Sequence, residues 1–253
     1  MKRIAFILML ALGGAACSDG AGPANQARVS LSFSTSRTGA APAPGFFASV
    51  MADTLTDGQN DLIITKAEVV LREIELKKIE AVSCDSTVSH DACEKFQTGP
   101  MLLDLPLNGQ VENTVTIVPD PATYDELEFD LHKVSNDDPE DAAFRAAHPH
   151  MIGNSIRVEG TYNGRLFVFE TDLNEEQRFD LIPPITVGDM STTTNVTVLI
   201  DLSRWFVDGS GSLVDPQSGN KGGVNENLIK ENVKNSVEAF EDHDSDGDES
   251  HRS

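Results

Sequence analysis

The chain has 253 residues, a formal net charge of −22 and 39% hydrophobic residues. That is enough for one large all-β domain or two small ones with a sizeable core. So acidic a surface repels nucleic-acid phosphates and anionic lipid headgroups, which argues against charge-driven binding to either and leaves divalent cations, basic partners and neutral sugars.

Lys2 and Arg3, the apolar run from Ile4 to Leu12 and the small residues Gly14, Ala15 and Ala16 before Cys17 make up the parts of an export signal. The apolar run is too short to cross a bilayer as a helix. The pattern resembles the lipobox of bacterial lipoproteins, with Gly14 where that family usually carries an aliphatic residue. The resemblance implies a signal peptide over residues 1–16, acylation of Cys17 as the new N-terminus, and a lipid anchor in the cell envelope. In Gram-negative lipoproteins an Asp directly after the cysteine favours the inner membrane. Ser18 stands there and Asp19 comes one place later, which implies the outer membrane. Residues 17–28 are Gly, Ala, Asn and Ser with no apolar period, and read as a flexible tether.

A domain over residues 29–206 is expected to be an antiparallel β-sandwich, immunoglobulin-like or related. Val29 to Ser34 alternates apolar and small polar residues, the mark of a strand with one buried face. From Asp61 to Glu80 the apolar parity changes twice. That predicts two strands or one long strand bent at bulges, while a helical stripe through Ile63, Ala67, Val70, Leu71 and Ile74 is the alternative. Cys84 and Cys93 lie eight residues apart, and in an oxidising envelope compartment such a pair predicts a disulfide pinning a hairpin tip. A metal site recruiting His90 is the competing reading.

Short strands are expected around Met101–Leu105, Thr114–Val118 and Leu127–Leu131. Asn163-Gly164, between Ser155–Tyr162 and Arg165–Phe169, predicts a two-residue hairpin turn. A short helical turn is expected within Glu140–Ala147, and further strands at Phe179–Ile182 and Asn195–Asp201. His132 is expected to be exposed or hydrogen-bonded, His148 and His150 offer two imidazoles without a spaced third ligand, and Trp205 reads as a core plug.

A Gly-rich linker over residues 207–224 leads to a C-terminal segment, 225–253. There Ile229, Val233, Val237 and Phe240 predict an amphipathic helix from Asn225 to Phe240. The tail that follows resembles the first half of an EF-hand or dockerin calcium loop. Asp242, Asp244 and Asp246 occupy alternate positions, Gly247 sits at the sharp turn, and Asp248 offers a backbone carbonyl. The resemblance implies Ca2+ held by Asp242, Asp244, Asp246 and Asp248. Ser253 stands at the place of the bidentate Glu, so the expected affinity is no tighter than roughly 0.1 to 1 mM. A solvated acidic tail is the alternative.

No Gly-x-Ser-x-Gly and no His-Glu-x-x-His occurs. The features together resemble uncharacterised bacterial lipoproteins that carry a β-sandwich domain of unknown function. Two functions follow as expectations. One is a non-enzymatic envelope module that binds a protein or carbohydrate, with no nucleic-acid partner and possible modulation by calcium. The other is a secreted hydrolase with an unrecognised carboxylate site.

Overall fold

A computed structural model describes residues 26–35, 52–79, 93–107, 110–188 and 193–242. In chain order the strands are β1 (Arg28–Thr35), β2 (Asp53–Thr56), β3 (Asp61–Lys78), β4 (Cys93–Gln97), β5 (Met101–Asp104), β6 (Val111–Ile117), β7 (Ala122–Leu131), β8 (Ile156–Tyr162), β9 (Arg165–Thr171), β10 (Glu175–Val187), β11 (Thr193–Ile200) and β12 (Val237–Glu241). The helices are α1 (Ala142–Ala147) and α2 (Glu226–Lys234). A four-stranded sheet, in the order β12-β11-β1-β6, faces an eight-stranded sheet built around β3. This is the expected sandwich.

The alternation in β1 does more than the sequence suggests. Val29, Leu31 and Phe33 enter the core, and Ser30, Ser32 and Ser34 on the opposite face are buried as well. The strand runs antiparallel to β6 but parallel to β11, so the sandwich contains a parallel pair. With more than 150 residues between β1 and β11 no tight turn dictates their direction.

The Asp61–Glu80 region is one 18-residue strand, β3, and the helical alternative fails. Its pairing registers slip at Ile64/Lys66, Arg72/Glu75 and Lys77/Lys78, and Glu73 has a φ of 52°. The parity changes are therefore irregularities in the ladder, as bulges require. β3 is long enough to serve two partners in turn: residues 62–69 pair with β8 and residues 71–78 with β7. At the handover, the N–H of Val70 donates to Ser155 O (2.7 Å) while its carbonyl accepts from the N–H of His132 (2.9 Å). The connection 132–155 thus leaves and rejoins the sheet at one residue.

That connection carries α1 inside the expected Glu140–Ala147 stretch. Val134, Phe144 and Met151 pack on Val70 and Leu102 as a small satellite core. His132 is buried, and its Nε2 lies 2.8 Å from Asp141 Oδ1. Asp141 Oδ2 also accepts the N–H of Ser135.

The β8–β9 hairpin turns at Asn163 (φ 50°) and Gly164 (φ 75°), both left-handed as the Asn-Gly pair predicts. Gly160 permits the close approach of β8 to β3, since a Cβ there would meet the Ile63 carbonyl oxygen at 1.9 Å.

The C-terminal helix is shorter than its apolar spacing predicts. α2 buries Ile229 and Val233 and ends at Lys234. Val237 and Phe240, placed on the same helix face by sequence, belong instead to β12, which pairs with β11. The side chain of Asn235 donates to Glu231 O (2.8 Å), and the Ser236 hydroxyl donates to Val233 O (2.7 Å). These groups close the last helical turn while the next five residues satisfy the open ladder of β11. Trp205 is the expected core plug: it is 1% exposed and its Nε1–H donates to Ser236 Oγ (2.7 Å).

Candidate functional site

β10 closes one edge of the larger sheet and β12 one edge of the smaller, and the two run near each other with no ladder joining them. Between them lies a groove of about 420 Å3, within the range of small-ligand sites. Arg178, Phe179, Asp180 and Ile182 line one wall, and Val237, Glu238, Ala239 and Phe240 the other. β10 loses register with β7 between Asp180 and Ile185, so residues 181–184 bulge opposite Asp125. Pro183 and Pro184 occupy that bulge, where missing N–H groups cost no ladder bond. Ile182 is left 66% exposed at the rim.

Outside the groove, the face of the larger sheet turned away from the core is ionic. Register aligns Lys95 of β4, Glu75 of β3, Glu128 of β7 and Arg178 of β10 in one row. Lys77, Glu126 and Asp180 form the next row, and Arg72, Asp130 and Glu176 the row on the other side. Lys77 Nζ donates to Glu126 (2.8 Å), and Arg178 Nε lies 3.4 Å from Glu128 Oε1. Lys95 pairs with Glu75, and Arg178 with Glu176.

Burial, reinforced by the hydrogen bond with Glu126, pushes the Glu128 carboxyl up to about 7. Glu126, though also buried, is held below its ordinary value by its bonds with Glu128 and Lys77. Burial raises Glu75 as well, against the pull of Lys95. Glu75 Oε2 and Glu128 Oε1 are both buried without a hydrogen-bond partner, because Arg178 approaches Glu128 at ion-pair distance but not in hydrogen-bonding geometry. Neither carboxylate lines the groove.

The opposite sheet buries a polar face of hydroxyls and an amide, with one carboxylate, Asp242, at its end. Ser30 Oγ bonds Thr116 Oγ1 (2.9 Å), and Ser32 Oγ donates to Asn195 Oδ1 (2.8 Å). The chain of bonds continues from Asn195 Nδ2 to Thr197 Oγ1 (3.0 Å) and from that hydroxyl to Asp242 Oδ2 (2.9 Å).

Asp242 is the single member of the calcium-loop motif among the described residues. Its N–H donates to Asn195 O (2.9 Å), and its buried carboxylate ends the hydroxyl–amide chain. Asp244, Asp246 and Asp248 lie outside the described residues, as do Cys17, Cys84 and His90. Cys93 opens β4, opposite Lys77. His148 and His150 meet edge to face at 6.2 Å, and His150 Nε2 lies 3.3 Å from the buried Glu68. Among the described residues no three His, Cys, Asp or Glu side chains are placed to hold a metal ion.

The groove escapes a reading of the sequence because the apolar spacing predicts a helix through one of its strands. One signal points to it: the double proline at 183–184 marks an edge or a bulge.

No family model matches the chain, and no curated protein matches it. Among solved structures it is similar to MbnP from Methylosinus trichosporium, at 15% identity over 72% of this chain and 78% of that one, with a TM-score of 0.34. The fold and the groove define a β-sandwich with an open seam between its two sheets.

Proposed function

We propose that the mature chain is an envelope lipoprotein, anchored to the outer membrane through Cys17, whose sandwich is a non-enzymatic binding module with the β10–β12 groove as its ligand site. The observation that supports this reading is that Glu75 and Glu128, two carboxyls held above their ordinary range, sit outside the groove. Its walls are Phe179, Ile182, Val237, Ala239 and Phe240 together with Arg178, Asp180 and Glu238. A protein ligand suits the groove better than a sugar, because Phe240 is buried and Phe179 half-buried, which leaves no open ring face for stacking.

Pull-down from envelope extracts tests the reading, with wild type compared with Ile182→Trp, which enlarges an exposed side chain at the groove's rim. Loss of captured proteins in the variant supports a groove ligand, and an unchanged set removes it. Mass spectrometry of the native protein tests the anchor: a mature N-terminus other than acylated Cys17 overturns it.

Calcium at Asp242, Asp244, Asp246 and Asp248 belongs to the same proposal as a modulator. Thr197 already bonds Asp242, so the ion would draw chiefly on the three later residues. An NMR titration in which Asp244 and Gly247 do not shift at millimolar calcium ends that part. One observation favours the hydrolase reading, namely a proton-holding Glu128 beside an ionised Glu126. Turnover of a chromogenic glycoside panel that vanishes in Glu128→Gln would replace binder with enzyme.

A further inference from the structure

The geometry points to one class of occupant for the groove: an extended peptide segment bearing Lys or Arg, contributed by a partner protein and added as a strand to the free edge of β12. This rests on the groove being the ligand site, and it specifies the ligand's chemistry.

The first support is the backbone. The N–H of Asp242 bonds Asn195 O and the N–H of Asp201 bonds Ser236 O, so the even-numbered residues of this stretch face β11. In an antiparallel pair the intervening residues direct their N–H and C=O groups the other way. Val237 and Ala239 therefore aim their backbone groups away from β11, at the seam where both line the groove. Their side chains pack toward the core, which leaves the main chain as what they offer a ligand. Edge backbone flanked by alternating pockets is the arrangement that captures an extended peptide.

The second support is charge. The chain has 19 Lys and Arg against 41 Asp and Glu, and most of its described cations are engaged elsewhere. Lys77 holds Glu126, Lys95 holds Glu75, Arg157 holds Glu159 and Glu170, Lys133, Lys221 and Lys230 converge on Asp172, and Lys234 holds Glu175. Arg178, the cation in the groove wall, is committed to Glu128 and Glu176. Asp180 and Glu238, one on each wall, are exposed and have no ion-pair partner among the described residues. Two unpaired carboxylates across a groove that also exposes Ile182 and part of Phe179 call for a cation with an apolar neighbour. A second copy of this chain, at a net charge of −22, brings the wrong sign.

The test uses the full mature chain with Cys17→Ser, so that it stays soluble, and fluorescence anisotropy. The probes are labelled peptides of about eight residues, a common strand length, that alternate Lys with Val, or Glu with Val. The Lys peptide is expected to bind and the Glu peptide not. Affinity should fall about tenfold in Asp180→Asn/Glu238→Gln, as two charge contacts imply. It should fall by a similar factor when alternate amides of the Lys peptide are N-methylated, a change that leaves the protein untouched. Ala239→Pro, which deletes an edge N–H, should also weaken binding. If that variant does not fold, the N-methylated peptide decides the same point.

Equal affinity for the two peptides, or no response to N-methylation, overturns the cationic-strand assignment. If it falls while Ile182→Trp still abolishes envelope capture, the groove remains a ligand site for other chemistry. If capture is independent of the groove, both readings fall together.

Discussion

The two sheets bury polar side chains on the faces they turn away from the core, and they do it by opposite means. On β1, β11 and the residue after β12, hydroxyls and an amide form a chain of bonds from Ser32 to Asp242 in which each described group has a partner. On β3, β7 and β10 the same alternation presents Glu, Asp, Lys and Arg, and the cross-strand rows leave Glu75 and Glu128 each with a buried, unbonded oxygen. Hydroxyls and amides both give and accept, so a row of them closes on itself. Carboxylates only accept, and where they outnumber cations some must hold a proton or go unpaired. The second face should respond to pH more than the first.

The comparison has a reference in the core that both sheets share. Trp205→Ala is expected to cost about 3–5 kcal/mol, read as a shift in urea midpoint with unchanged slope, since it empties a fully buried site and removes the bond from Trp205 Nε1 to Ser236 Oγ. A loss below about 1 kcal/mol would mean that the sheets are not held by this core.

On the ionic face, Glu128 has a folded value near 7, above the ordinary 4.5. The folded state therefore binds its proton more tightly than the unfolded chain. Its stabilising effect is full below pH 4.5 and is lost as pH rises through 7, by on the order of 2 kcal/mol. Glu75 shifts in the same direction and Glu126 in the other. The urea midpoint should drop over that window in wild type and flatten in Glu128→Gln. A drop that survives the substitution would move the effect to other carboxylates.

On the hydroxyl–amide face, Asn195→Ala strands Ser32 Oγ and removes the donor to Thr197 Oγ1, whose own bond to Asp242 remains, at a cost of about 1–3 kcal/mol. The cost should be the same at pH 5 and pH 8, and a pH-dependent penalty would break the contrast between the faces. The smallest effect is expected at Asp172, where the hydrogen bond from Lys230 outweighs partial burial and, with Lys133 and Lys221, holds the carboxyl well below its usual range. Its contribution is present at neutral pH and fades as the solution is acidified below the ordinary carboxylate range. Asp172→Asn should cost about 0.5–1 kcal/mol at neutral pH, and less in high salt.

Much of this was legible in local pattern. The Val-Ser-Leu-Ser-Phe-Ser alternation marks β1, Asn163-Gly164 marks the β8–β9 hairpin, and the parity changes in Asp61–Glu80 mark the slips in β3. These features depend on neighbours in the chain, where side-chain period and backbone φ preference act directly. Val237 and Phe240 show the limit. Their spacing of three fits one face of a helix and puts them on opposite faces of a strand, yet the open ladder of β11, almost 40 residues earlier, selects the strand.

The sequence by itself determined the β class, the acidity, the main turns and the core identity of Trp205, because each is set by composition or short-range spacing. Only the tertiary structure decided the parallel partnership of β1 with β11, the ionic rows across β4, β3, β7 and β10, and the groove where two sheet edges meet. Those depend on register between segments far apart in the chain. Hydrophobic period dictates that a strand buries one face, but it leaves open which strand lies beside it.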